Sequence, residues 1–183
     1  MNREASGKTS SKAEELAAFE YCDLNTLIVS VCAASLAAAL ILEYVYELPP
    51  CPLCMLQRFA LIALGGVATV AMLCRFSGRL RRLSAALKIV LALIGAGFAS
   101  RQVWLQHLPP EEVPGCLPGF DYLIDALPLT EALLLMVQGS SDCAEVVWQF
   151  LGLSIPEWSL LCFVFLGLLS GLHFAGRRAE SRV

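Results

Sequence analysis

Four long apolar segments leave this chain few folds. They run over about 24–46, 55–76, 87–105 and 158–175. Each approaches the roughly 20 residues needed to cross the hydrocarbon core of a bilayer. None carries a clean amphipathic stripe, and a helix apolar on every side belongs in a protein core or in a membrane. Four of them in 183 residues favour the membrane, as does a composition that is 57% hydrophobic and only 16% charged. A soluble domain carries about 25% charged residues. Gly65, Gly66, Gly95, Gly97, Gly167 and Gly171 suit close helix packing in lipid. The sequence therefore predicts an all-α membrane protein, a four-transmembrane-helix bundle over residues 24–176 with polar tails at 1–23 and 177–183. The first 25 or so residues lack the basic start, short apolar core and small-residue cleavage site of a secretory signal, so the first span is expected to be retained.

Basic residues set the expected orientation. Arg3, Lys8 and Lys12 precede the first span; Arg75, Arg79, Arg81, Arg82 and Lys88 lie between the second and third; Arg177, Arg178 and Arg182 follow the fourth. From Gln102 to Gly176 there is no Lys or Arg. The positive-inside rule then places both termini and the 75–88 loop in the cytoplasm. Trp104, Trp148, Trp158, Tyr44, Tyr46 and Tyr122 cluster towards the opposite face, where an aromatic belt belongs. The long outer segment from about 106 to 157 is acidic and carries Pro109, Pro110, Pro114, Pro118 and Pro128. Proline at that density excludes a continuous helix, and one or two short helices on the membrane surface are expected. The net charge of −3 gives no reason to expect a nucleic-acid partner.

Of the eight cysteines, Cys51, Cys54, Cys116 and Cys143 fall in the two outer segments, where an oxidising compartment permits disulfide chemistry. Cys22, Cys32, Cys74 and Cys162 fall in spans or towards the cytoplasmic side and read as small buried hydrophobes. Four outer cysteines allow three connectivities. Cys51-Pro52-Leu53-Cys54 is a C-x-x-C at the start of the second span. Pro52 fits the first helical position, where its missing N–H costs nothing, which makes Cys51 the N-cap. Both sulfurs then lie near the positive end of the helix dipole, which favours thiolate. Zinc shares the C-x-x-C motif, but neither Cys116 nor Cys143 belongs to a second one, and His107 is the only outer histidine. No metal is expected.

Arg58 follows Cys54 by four residues, so the two project from one helix face about one turn apart. A guanidinium inside a span is costly and usually marks function, although snorkelling to the interface is feasible this near the end. Arg101 is a second basic residue at the same depth. Two cations beside a thiolate could hold a quinone ring and the charge that develops as it is reduced. His107 could relay a proton.

The run Cys51-Pro-Leu-Cys-Met-Leu-Gln-Arg58 resembles the DsbB disulfide-bond formation family. So do Arg101-Gln-Val-Trp-Leu-Gln-His107 and the segment from Ser141 through Cys143 and Trp148 to Trp158. The likeness extends over about 24–176. It implies an enzyme of the bacterial inner membrane, a quinone-dependent thiol-disulfide oxidoreductase serving periplasmic protein folding. Its implied disulfides are Cys51–Cys54 and Cys116–Cys143. Its implied partners are a DsbA-like periplasmic thiol oxidase and ubiquinone or menaquinone. On that resemblance Cys116 is attacked by the reduced partner, Cys143 is released and attacks Cys51, and Cys54 becomes the thiolate facing the quinone. Arg58 then supports thiolate and quinone, and Trp148, on a short surface helix after Cys143, lines or anchors the site. Two other readings fit four helices and a C-x-x-C. One is a reductase of the vitamin K epoxide type, whose C-x-x-C belongs late in the bundle. The other is a membrane scaffold with structural disulfides.

Overall fold

In a computed structural model the described residues are 3–74, 78–109, 111–115, 125 and 127–180, with side chains omitted for 3–21, 173 and 175–180. Among them, α1 runs Arg3–Tyr44, α2 Pro52–Leu73 and α3 Gly78–Gln106. Two short helices follow, α4 (Leu129–Gln138) and α5 (Ser141–Ala144). A two-stranded ribbon, β1 (Gln149–Phe150) and β2 (Leu153–Ser154), leads into α6 (Ile155–Glu180).

Four helical stretches are long and apolar enough to cross a membrane: Cys22–Tyr44, Pro52–Leu73, Gly78–Gln106 and Ile155–Leu172. Helices satisfy their own backbone hydrogen bonds, which lipid cannot do for them. α1 packs on α2, α2 on α3, and α3 on α6. Their shared core is built from Ile28 and Cys32 of α1, Leu64 and Ala68 of α2, Ala92 of α3 and Phe163 and Leu166 of α6. Gly95 lets α3 approach α6: a Cβ there would lie 2.2 Å from Phe163 Cε1. The outward faces are apolar as well, with Leu40, Leu93, Leu168 and Leu172 exposed. A soluble protein rarely shows so continuous an apolar surface; a lipid-facing one requires it.

Helix ends depart from the apolar counting. α1 begins about twenty residues before its apolar stretch, because the alanines, glutamates and lysines that precede Cys22 are good helix formers. α3 begins at Gly78, so Arg79, Arg81, Arg82 and Lys88, expected in a loop, are helical. Arginine and lysine end a hydrophobic run without ending a helix. Lys88 is fully buried and its Nζ donates to Asn25 Oδ1 at 2.6 Å, joining α3 to α1. Cys22 and Cys74 are exposed rather than buried, whereas Cys32 is buried and Cys162 partly so, 3.3 Å from Ser35 Oγ.

The outer face carries a second core, in which Cys51, Leu53, Leu56, Leu105, Ala132, Met136 and Cys143 pack together. It places α4 and α5 over the ends of α2 and α3. The ribbon pairs Gln149 with Ser154 and Phe150 with Leu153. Leu151 and Gly152 turn it with φ of 54° and 81°, the positive pair that a type I′ hairpin demands. Trp148 stacks on Phe150 at 5.9 Å, and the Trp158 indole donates to the Phe150 carbonyl at 3.1 Å. Trp148 therefore lies beyond the short helix on which the sequence placed it. α5 ends at Ala144 and Glu145 is extended; the β-branched Val146 and Val147 that follow disfavour another turn.

Candidate redox site

The site begins with the cap of α2. Cys51 is extended at φ −71° and ψ 163°, Pro52 opens the helix, and the Cys51 sulfur accepts from the Cys54 amide at 3.4 Å. One sulfur thus takes a backbone donor that the helix start leaves unpaired. The same cap folds the C-x-x-C back on itself and brings the two sulfurs to 2.8 Å.

Cys143 reaches them from the other side. Gly139 turns the chain after α4 with φ 78°, and a Cβ there would lie 2.5 Å from Leu105 Cδ1. Ser140 follows, fully buried; its carbonyl accepts from the Cys143 amide at 3.0 Å and its hydroxyl lies 3.8 Å from the Cys143 sulfur. Cys143 is itself fully buried and packs in one core with Cys51. Cys51, Cys54 and Cys143 are all free thiols here and share the outer core. Cys116 lies outside the described residues.

The two outer thiols differ in proton affinity. The hydrogen bond to Cys143, then that to Cys54, then burial push the Cys51 thiol far above the ordinary thiol range. The hydrogen bond from Cys51, helped by the Leu53 and Ser140 amides and the Ser140 hydroxyl, brings Cys143 down from 9.0 to about 6. The helix dipole favoured thiolate at both cysteines of the C-x-x-C. At Cys51 it is outweighed, because Cys51 is the donor to two neighbouring sulfurs.

The basic residues have specific partners. Arg58 pairs through Nη1 with Glu43 of α1 and donates from Nη2 to the Ala39 carbonyl at 3.0 Å. Its guanidinium is mostly buried, as is the Glu43 carboxylate. Arg101 donates to the Gln138 carbonyl at 3.0 Å, closing the end of α4, and its guanidinium lies 4.3 Å from the Trp104 ring centre. Arg101 Nη1 is buried with no acceptor among the described residues. His107 is exposed, with Nδ1 2.8 Å from the Val103 carbonyl.

Three site residues escaped the sequence reading. Gln102 Nε2 lies 3.3 Å from both the Cys51 and Cys54 sulfurs, and Gln57 Nε2 donates to Gln102 Oε1 at 2.7 Å. Glu43 is the third. Their signal was present: an amide or carboxylate within an apolar span is costly and calls for a partner. Gln57 stands three residues after Cys54, one turn along the same helix.

Fold and site together define a multi-pass membrane protein with a buried cluster of cysteines at one end of its helix bundle. The family model described as Disulfide bond formation protein DsbB matches residues 23–173. The chain belongs to the DsbB family, and with it to the thiol-disulfide oxidoreductases of disulfide-bond formation. Among its relatives, Disulfide bond formation protein B of Nitrosococcus oceani is 49% identical over 140 residues, 76% of this chain and 83% of that protein. The protein of the same name from Marinobacter nauticus is 46% identical over 156 residues, 85% of this chain and 92% of its own. Disulfide bond formation protein B 1 of Pseudomonas aeruginosa is 45% identical over 145 residues, covering 79% and 89%.

Proposed function

We propose that this chain reoxidises a DsbA-like periplasmic thiol oxidase and delivers the electrons through two cysteine pairs to ubiquinone or menaquinone in the bacterial inner membrane. The observation that carries this reading is the convergence of three cysteines: the Cys51 and Cys54 sulfurs lie 2.8 Å apart, and Cys143 is buried in the same core. Thiol–disulfide exchange proceeds by attack of a thiolate on a disulfide sulfur, so contact between the pairs is the requirement for passing electrons between them.

The sequence of steps follows from the chemistry of each group. The partner's thiolate attacks Cys116 of a Cys116–Cys143 disulfide, and Cys143 leaves with the electron pair. The Cys143 thiolate then attacks Cys51 of the Cys51–Cys54 disulfide, and Cys54 leaves with the pair. The second thiol of the partner closes the partner's own disulfide and frees Cys116. Cys143 and Cys51 are afterwards separated by attack of Cys116 on Cys143, which restores the outer pair and leaves Cys51 and Cys54 reduced.

A bound quinone supplies an acceptor for two electrons and two protons. The residues present fit one. Arg101 Nη1 is buried without an acceptor among the described residues and would suit a ring oxygen as negative charge develops on it; Arg58, one turn below Cys54, is held by Glu43 and the Ala39 carbonyl and would act from beside the ring. Their side is taken as periplasmic and both termini as cytoplasmic, in keeping with the basic residues of 79–88 at the opposite end of α3.

The test follows quinone absorbance on adding reduced thioredoxin-fold dithiol to the purified protein in detergent. One quinone is expected to be reduced per dithiol oxidised, and Cys54→Ser to stop the reaction. Undiminished turnover in Cys54→Ser, or dithiol oxidation with no quinone consumed, would overturn the proposal.

A further inference from the structure

The opening of a Cys51–Cys54 disulfide leaves a full negative charge on a sulfur at the edge of the hydrocarbon. Gln102, carried by the neighbouring α3, is placed to receive it. It is 4% exposed, and so is Gln57. Its Nε2 lies 3.3 Å from the Cys54 sulfur and 3.3 Å from the Cys51 sulfur. Its Oε1 is occupied by the Gln57 Nε2–H at 2.7 Å. An amide whose oxygen is held this way presents its N–H groups to the sulfurs.

We propose that Gln102 is a catalytic residue of the relay, its amide N–H stabilising the thiolate of Cys54 as the Cys51–Cys54 bond breaks, with Gln57 positioning that amide. The inference rests on the proposed relay, in which Cys54 is the leaving sulfur. The step balances within the chain: the Cys143–Cys51 bond forms, the Cys51–Cys54 bond breaks, and the electron pair moves onto Cys54. No proton need move, since the Gln102 donor is already in place. When Cys54 is protonated the same side chain accommodates it differently, its Oε1 lying 3.7 Å from the Cys54 sulfur as an acceptor for S–H. Gln102 therefore meets Cys54 in both protonation states. The N–H···S⁻ form is the stronger, because a hydrogen bond to a charged acceptor is roughly twice as strong as a neutral one.

The deciding experiment is alkylation of the full chain in detergent, reduced with excess dithiol and stripped of quinone, at neutral pH. The rate is read by mass on the peptide containing Cys54. Gln102→Leu is expected to slow Cys54 by about tenfold and to leave Cys143 unchanged. Loosened packing would have the opposite effect, exposing Cys54 and speeding its reaction. Gln102→Met keeps the length and fills the site but has no N–H to donate, and should slow Cys54 by a similar factor; it decides the matter if the leucine variant does not fold. Gln57→Leu frees the amide to turn and should give a smaller loss. A Cys54 rate equal to or above that of the unsubstituted protein in Gln102→Met would overturn the proposal. Because quinone is absent throughout, that result would stand apart from any failure of the quinone reading.

Discussion

Cys51 and Cys143 pack in one core but, in the reduced protein, hold their protons very differently. Cys51 donates and keeps its proton; Cys143 accepts and is brought down to about 6. In the reduced protein, alkylation of Cys143 should therefore rise with a midpoint near pH 6, and Cys51 should stay unreactive at neutral pH. Removing the largest cause tests the assignment: Cys51→Ala should move the Cys143 midpoint up towards the ordinary thiol range. A midpoint unmoved by that substitution would contradict it. The sign for stability follows from linkage. A thiol whose folded value lies below its unfolded one contributes stability fully above the unfolded value of 9.0, and this is lost as pH falls through about 6. Reduced protein should accordingly melt at a lower temperature at pH 5 than at pH 8, by an increment that vanishes in Cys143→Ala.

Between elements, two contacts hold the site in register. Arg58 and Glu43 tie α2 to the end of α1. Removing either partner leaves a largely buried charge, at a cost of about 1.5–3 kcal/mol for the lost charged hydrogen bonds. Removing both should cost less than the two single losses combined. Thermal unfolding of Arg58→Ala, Glu43→Ala and the double variant in detergent measures that coupling, and strict additivity would mean the pair does not act as one. Gly139 is the second contact. Its φ of 78° and the 2.5 Å approach to Leu105 penalise any side chain, so Gly139→Ala should destabilise by about 1–3 kcal/mol. Gly97 faces open space and has no such backbone requirement; Gly97→Ala should be neutral or mildly stabilising. Gly139→Ala should also slow exchange between the cysteine pairs, because Cys143 depends on that turn for its place against Cys51.

For the molecule as a whole, an apolar exterior around a small polar site is what a bilayer demands, and that much was legible in the sequence. Hydropathy revealed the four spans, and Pro52 inside the C-x-x-C revealed the cap of α2, because local chain chemistry determines both. The helix starts at Arg3 and Gly78 were not legible, since charged helix formers continue a helix while ending an apolar run. Nor was the burial of Lys88 against Asn25, which depends on two helices sixty residues apart in sequence meeting in register. The same limit hid Gln102. Its contact with Cys54 exists only because α3 packs beside α2, and neither residue's neighbours in sequence announce it. What the whole fold achieves is to carry Cys143, from a loop, onto the capped end of a membrane helix. The most direct test is disulfide mapping of protein quenched with acid during turnover with a reduced thioredoxin-fold dithiol. A bond between Cys51 and Cys143, appearing with the start of turnover and decaying as the dithiol is exhausted, is the expected result. Steady turnover in which only bonds within each pair, Cys51–Cys54 and Cys116–Cys143, are ever found would contradict the account.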